Sequence, residues 1–316
     1  MKRSESSHSI ASNGSDSFNL NLLASGELDT LDYRLQHIMV EHEHPERVVS
    51  AWHDIPLYEL DADTQRPTGV LNFVCEIPRC SRKKYEIATK EPGNPIKQDE
   101  KKGKLREAVQ LEPTIYPPPS TQGDIFFNYG CLPRTWEDPD HVHPETGFVG
   151  DNDPLDVCEI GLRIIPTGEV RSVKVLGVLA MIDDDETDWK IIAIDKEDRW
   201  ASELNDVTDL ERLLPGVVDC VREWFRTYKI GDGKPPNKFA LDEVCMPRKF
   251  AMKVVSECHL SWRKLVGKAE SGEEIPRNLS VSKLSDLLSD VEPDHVLDAD
   301  FEANEGEEDY PASLIA

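Results

Sequence analysis

Between Tyr33 and about Lys229 the apolar residues of this chain come in runs of strand length, each cut off by Pro, Gly or Asp. Leu71-Asn-Phe-Val-Cys75, Val173-Lys-Val-Leu-Gly-Val-Leu179 and Trp189-Lys-Ile-Ile-Ala-Ile194 are rich in β-branched residues. Turn residues such as Pro166-Thr-Gly168 and Asp183-Asp-Asp185 bound them. Several strands in close succession predict a small barrel or sandwich. Two helices are expected after them. Val217, Val221, Trp224, Phe225 and Tyr228 recur at helical spacing behind Pro215-Gly216, and Ala251, Val254, Val255, Cys258, Trp262 and Leu265 do the same further on. Strands followed by helices place the chain in the α+β class. The organisation expected is a flexible Ser-rich leader over 1–30, one folded domain over 31–268, and an acidic, disordered tail over 269–316. Pro117-Pro-Pro-Ser-Thr-Gln-Gly123 is expected as a loop inside the domain.

Composition narrows what such a domain can do. The formal net charge of −25 on 316 residues argues against a nucleic-acid surface or an anionic membrane as partner. Much of that charge lies in the tail. From Val281 onward eleven acids face the single base Lys283, a charge run expected to be solvated and disordered. No apolar run approaches the roughly 20 residues that span a bilayer. Met1-Lys-Arg and the polar sequence behind it lack the apolar centre of a secretory signal. The seven cysteines are widely scattered with no C-x-x-C pair. That distribution fits reduced thiols in the cytoplasm better than a disulfide scaffold or zinc ribbon, with a mitochondrial location the lesser expectation.

The densest chemical signal is Gly150-Asp-Asn-Asp-Pro-Leu-Asp156. Three carboxylates this close repel one another unless water or a hard cation stands between them. A calcium loop of the EF-hand type also begins D-x-D, but here Asp156 stands where its glycine belongs and Leu162 where its glutamate belongs. An acidic surface turn is the plain alternative. Asp183-Asp-Asp-Glu-Thr-Asp188 forms a second cluster, and Asp188 and Lys190 would share one face of the following strand. A third set is Glu76-Ile-Pro-Arg79, Lys84-Tyr-Glu86 and Lys101-Lys-Gly-Lys-Leu-Arg106. Its basic residues could cradle phosphate oxygens or be merely solvated. Lys229 suits the end of its helix without any ligand, and Tyr129 could equally be core. The nucleotide-cradle, dinucleotide, serine-hydrolase and zinc-protease motifs are absent from the sequence.

Together these residues resemble family I soluble inorganic pyrophosphatases. Gly150-Asp-Asn-Asp-Pro-Leu-Asp-Val157 matches the family signature. His53-Asp-Ile-Pro-Leu57, Glu76-Ile-Pro-Arg79, Lys101-Lys-Gly-Lys-Leu-Arg106, Asn128-Tyr-Gly130, Thr135-Trp-Glu-Asp-Pro139, Glu186-Thr-Asp-Trp-Lys190 and Trp224-Phe-Arg-Thr-Tyr-Lys229 resemble its eukaryotic branch, in order, from about Tyr33 to Val266. The resemblance implies a five-stranded OB-like β-barrel flanked by helices, several Mg2+ ions per site, and hydrolysis of pyrophosphate to two orthophosphates. It puts Asp151, Asp156 and Asp188 at the activating metals, Asp183 and Glu86 at further metals, and Asp153 at the carboxylate that deprotonates the attacking water. Arg106, Lys84, Tyr129, Lys190, Tyr228 and Lys229 match contacts to the phosphoryl groups, and Glu76 a supporting position. A homodimer is also implied. Two positions depart from the pattern: Ile125 stands where relatives carry a tyrosine, and Cys80 where they often carry a tryptophan at the dimer contact. The rival readings are a nucleotide phosphoanhydride hydrolase and a catalytically silent interaction module.

Overall fold

The computed structural model describes residues 20–39, 47–64, 66–107 and 125–270. The Pro-rich loop at 117–123, most of the expected leader and nearly all of the acidic tail lie outside these residues. In chain order the first strands are β1 (Leu20–Ser25), β2 (Arg34–Met39), β3 (Arg47–Val49), β4 (Tyr58–Leu60), β5 (Pro67–Ile77), β6 (Tyr85–Ile87) and β7 (Ile96–Gln98). A small hairpin follows, β8 (Glu100–Lys101) and β9 (Lys104–Leu105). After it come β10 (Asn128–Cys131), β11 (Val149–Gly150), β12 (Asp156–Glu159), β13 (Val170–Asp183) and β14 (Glu186–Asp195). The helices are α1 (Val207–Leu213), α2 (Val217–Thr227) and α3 (Arg248–Glu270), with the short strands β15 (Lys238–Phe239) and β16 (Met246–Pro247) between the last two.

This is a sheet-dominated fold with few helices, as the α+β reading expects, but it holds more sheet than five strands. One sheet of five strands contains β1, β2, β3, β6 and β7; another of nine is built on β5, β10, β12, β13 and β14. The added strands are mostly two or three residues long, too short for a period-two pattern to show in the sequence. The leader expected over 1–30 is corrected at its end. Leu20 to Ser25 pair in register with Met39 to Arg34, because Leu20 and Leu22 pack against the core cluster containing Leu35 and Ile96. The helix α1 was not visible as periodicity; Asp206 caps it by accepting from the Thr208 amide at 3.3 Å.

The long hairpin β13–β14 carries much of the site. Its register runs from Val173 opposite Asp195 to Asp183 opposite Glu186, so Asp184 and Asp185 form a two-residue turn. Both have positive φ, at 49° and 67°, which matches the right-handed twist of the flanking strands. Strand β14 therefore begins at Glu186, three residues before the apolar run at Trp189. Beneath it, β12 pairs in parallel with β14 and sets Asp156 beside Lys190. On the other side β10 pairs with both β12 and β5. This approach is tight enough that a Cβ at Gly130 would come 2.0 Å from the Val74 carbonyl oxygen. Core residues including Phe73, Val157, Val175 and Ile191 are fully buried between these strands and α3.

Candidate active site

Every site residue expected from the sequence lines one cavity of about 390 Å³: Glu76, Lys84, Glu86, Arg106, Tyr129, Asp151, Asp153, Asp156, Asp183, Asp188, Lys190, Tyr228 and Lys229. They reach it from separate elements. Glu76 projects from β5, Lys84 from the residue before β6, Glu86 from the middle of β6, and Arg106 from the residue after β9. Tyr129 comes from β10, while Asp156 begins β12. Asp183, Asp188 and Lys190 come from the β13–β14 hairpin, and Tyr228 and Lys229 from the end of α2. The turn carrying Asp151 and Asp153 is pressed against the 137–138 backbone. A Cβ at Gly150 would lie 2.4 Å from the Glu137 carbonyl carbon, so only glycine fits there.

Lys190 is the centre of charge. Although 1% exposed, its ammonium donates to Asp156 at 2.5 Å, to Asp188, and to the Tyr129 hydroxyl at 3.3 Å. The pairing with Asp188 follows from their two-residue spacing on β14, as expected. Tyr129 also donates to Asp156. Burial raises the Asp188 carboxyl against the pull of Lys190, and Asp156 adds to the rise. At the opposite wall Lys229 donates to both oxygens of Asp183, and Tyr228 donates to the same carboxylate at 3.3 Å. On a third side Lys84 donates to Glu86 at 2.7 Å. Glu76 accepts from the Ile87 amide at 2.7 Å; burial holds its carboxyl well above the usual range, and Asp156 reinforces this.

Among the described residues, Glu137, Asp151 and Asp188 bring carboxylate oxygens within 4.8 Å of one another, close enough to share a cation. Asp151 and Asp188 were expected as ligands; Glu137 was not. It is fully buried, accepts from the Trp189 amide at 3.0 Å through one oxygen, and has no hydrogen bond on the other. Burial, with Asp151 and Asp188 nearby, pushes its carboxyl well up. Its only sequence signal was its place inside the block Thr135-Trp-Glu-Asp-Pro139, where Glu137 beside Asp138 reads as ordinary loop charge. A buried carboxyl facing two others is relieved either by keeping its proton or by a cation shared among the three. The donor set is all oxygen, which suits a hard dication such as Mg2+ or Ca2+ rather than a soft one.

Ile125, one of the two departures from the pattern, does not line the cavity. It is 1% exposed and packed with Ile77, Phe127 and Leu176. Cys80 is exposed with a φ of 65°. Cys131 lines the cavity and was not expected there.

Comparison with known proteins gives this arrangement its context. The family model "Inorganic pyrophosphatase" matches residues 73–263. An inorganic pyrophosphatase of Kluyveromyces lactis is 47% identical over 265 residues, covering 84% of this chain and 85% of its own. One from Neurospora crassa is 49% identical over 249 residues, covering 78% and 80%. Among solved structures, a truncated Trypanosoma cruzi vacuolar soluble pyrophosphatase in complex with PPi superposes with a TM-score of 0.71 and 41% identity, covering 84% of this chain and 99% of that one. The matched span contains the whole cavity, from Glu76 to Lys229, and on these grounds the chain belongs to the inorganic pyrophosphatase family.

Proposed function

We propose that this chain hydrolyses inorganic pyrophosphate to two phosphates in the cavity described above, with several magnesium ions as cofactor. The observation that carries this reading is the convergence of one carboxylate-rich wall and several cations on a single cavity. Pyrophosphate is itself a dense anion. An acidic cavity accepts it only with divalent cations, and the basic residues then contact the phosphoryl oxygens those cations leave. The relative crystallised with PPi supports the same substrate.

The roles follow from position and chemistry. Asp151, Asp156 and Asp188 would hold the activating ions, with Asp183 and Glu86 taking further ones, and Glu137 lies in one carboxylate group with Asp151 and Asp188. When bound, these ions neutralise phosphate charge and acidify water. Asp153 is exposed on the Gly150–Asp156 turn, where it can take the proton of the attacking water. Lys84, Arg106, Lys190 and Lys229 bind and orient the two phosphoryl groups, and the Tyr129 and Tyr228 hydroxyls add hydrogen bonds to them. Glu76 anchors the β6 backbone behind Lys84 and Glu86. The departing phosphate leaves beside Lys229 and Arg106, so no phenol is required at Ile125, which packs in the core.

Three further proposals accompany this one. The pairings β5–β10, β10–β12, β12–β14, β14–β13 and β13–β5 return on themselves, which supports reading the inner strands as the OB-like barrel. A homodimer is supported by exposed Leu162 and Ile164. They flank the region where Arg79, beside Cys80, donates to the Gly161 carbonyl. A cytoplasmic location rests on the seven free thiols; among the described residues no helix is long and apolar enough to cross a membrane.

The test of substrate is direct. With magnesium, phosphate release from pyrophosphate should exceed release from a nucleoside triphosphate by about a hundredfold or more in kcat/KM, a margin of roughly 2.7 kcal/mol. Equal or greater activity on the triphosphate would assign the cavity to nucleotides, and none on either would leave the module reading.

A further inference from the structure

We infer that Asp99, which does not line the cavity, is a positioning residue that presents Lys84 and Arg106 to the phosphate of the substrate. One oxygen of Asp99 accepts from the Lys84 ammonium at 3.1 Å and from the Arg106 guanidinium at 2.5 Å. The other oxygen accepts from the Glu100 amide at 2.6 Å. The backbone holds the carboxylate as firmly. The Asp99 amide donates to the Lys84 carbonyl at 2.7 Å, and the Arg106 amide donates to the Asp99 carbonyl at 2.8 Å. Both cations line the cavity, whereas their shared anion stands behind them.

Two cations at one wall repel each other, and Asp99 offers one oxygen to both, while Lys84 also donates to Glu86. Arg106 lowers the proton affinity of Lys84, while Glu86 and Asp99 raise it above its ordinary range against the cost of burial. Burial acts to raise the Asp99 carboxyl, but Lys84 and Arg106 hold it below the usual range. Because only one Arg106 nitrogen is used by Asp99, the rest of the guanidinium is left to meet phosphate oxygens. The backbone of Arg106 is held from both sides of the hairpin: its carbonyl accepts from the Lys84 amide at 3.1 Å and from the Gln98 side chain at 2.7 Å. With the main chain fixed in this way, the Asp99 carboxylate sets the direction of the guanidinium.

This inference rests on the phosphate-binding reading of the cavity. The test is steady-state hydrolysis of magnesium pyrophosphate by the full chain, its Asp99→Asn and its Asp99→Glu variants. Calorimetric binding of inorganic phosphate with magnesium is measured alongside. Asp99→Asn should raise KM about tenfold and weaken phosphate binding by a similar factor, with kcat within about threefold, since misaimed binding groups lose affinity before chemistry. Asp99→Glu keeps the charge one methylene further out and should recover most of the loss. An unchanged or lowered KM and phosphate Kd in Asp99→Asn would overturn the inference, as would a fall in kcat alone. If Asp99→Asn does not fold, Asp99→Glu decides, because a shift of about threefold in phosphate Kd is expected there and none would refute positioning. A wild-type chain inactive on pyrophosphate would overturn the functional reading instead, and the phosphate Kd values would still decide Asp99.

Discussion

Asp153→Asn should lower kcat by about a hundredfold or more while leaving the fold intact, the usual scale for losing an acid–base group. The turn that carries Asp153 is held by its backbone. The Asp153 amide donates to Asp151 at 3.0 Å, and its carbonyl accepts from the Glu137 amide at 3.0 Å. Neither bond involves the side chain, so an isosteric amide preserves the turn and the nearby carboxylates. What it removes is proton affinity. Phosphate release at saturating magnesium pyrophosphate, with a thermal melt as control, reads the effect. A variant with wild-type turnover would take the base role away from Asp153.

The second large effect is on stability. Lys190→Met should destabilise the metal-free protein by about 3–5 kcal/mol, because Asp156 and Asp188 are then left facing each other without a cation. The methionine fills most of the space of the lysine stem, so packing against Phe225, whose ring lies 5.1 Å from the Lys190 ammonium, is largely kept. The deficit should deepen as pH rises. An acid whose folded-state pKa is raised, as that of Asp188 already is, binds its proton more tightly in the folded state, so stability falls as that proton is lost. Urea unfolding with and without magnesium checks this. Magnesium should restore the variant more than it stabilises the parent, because the dication supplies the charge that lysine gave. If magnesium leaves the variant's deficit unchanged, cations do not bind between these carboxylates.

The sequence was most legible where side-chain chemistry is dense and local. The Gly150–Asp156 turn and the Asp188–Lys190 pair are readable because period-two geometry or a tight turn forces their charges together. The convergence of Glu76, Lys84, Tyr129 and Lys229 on one cavity is not local; their positions on different strands and a helix end become neighbours only through the sheet pairing. The resemblance to a family, not spacing, brought them together in advance. Glu137 escaped because a single buried acid has no pattern, and its importance lies in the desolvation that only packing creates. Asp99 escaped for a related reason. It precedes a run of lysines that reads as solvated charge, and its partners Lys84 and Arg106 lie on two sides of it in sequence. At the level of fold, β5, β13, β14 and the helices α2 and α3 carry enough periodicity to be read. The strand at Leu20–Ser25 was hidden in a polar leader, and the capped seven-residue helix α1 is too short for a moment to develop.

The central claim is that divalent cations bound by this carboxylate wall drive hydrolysis of pyrophosphate, and a magnesium titration of phosphate release tests it most directly. With pyrophosphate held saturating, the rate should rise from near zero with more than one magnesium ion per active site, and a chelator in excess should return it to near zero. Replacing the chelator with fresh magnesium should restore it. Full-rate release of phosphate in the presence of excess chelator would contradict the account.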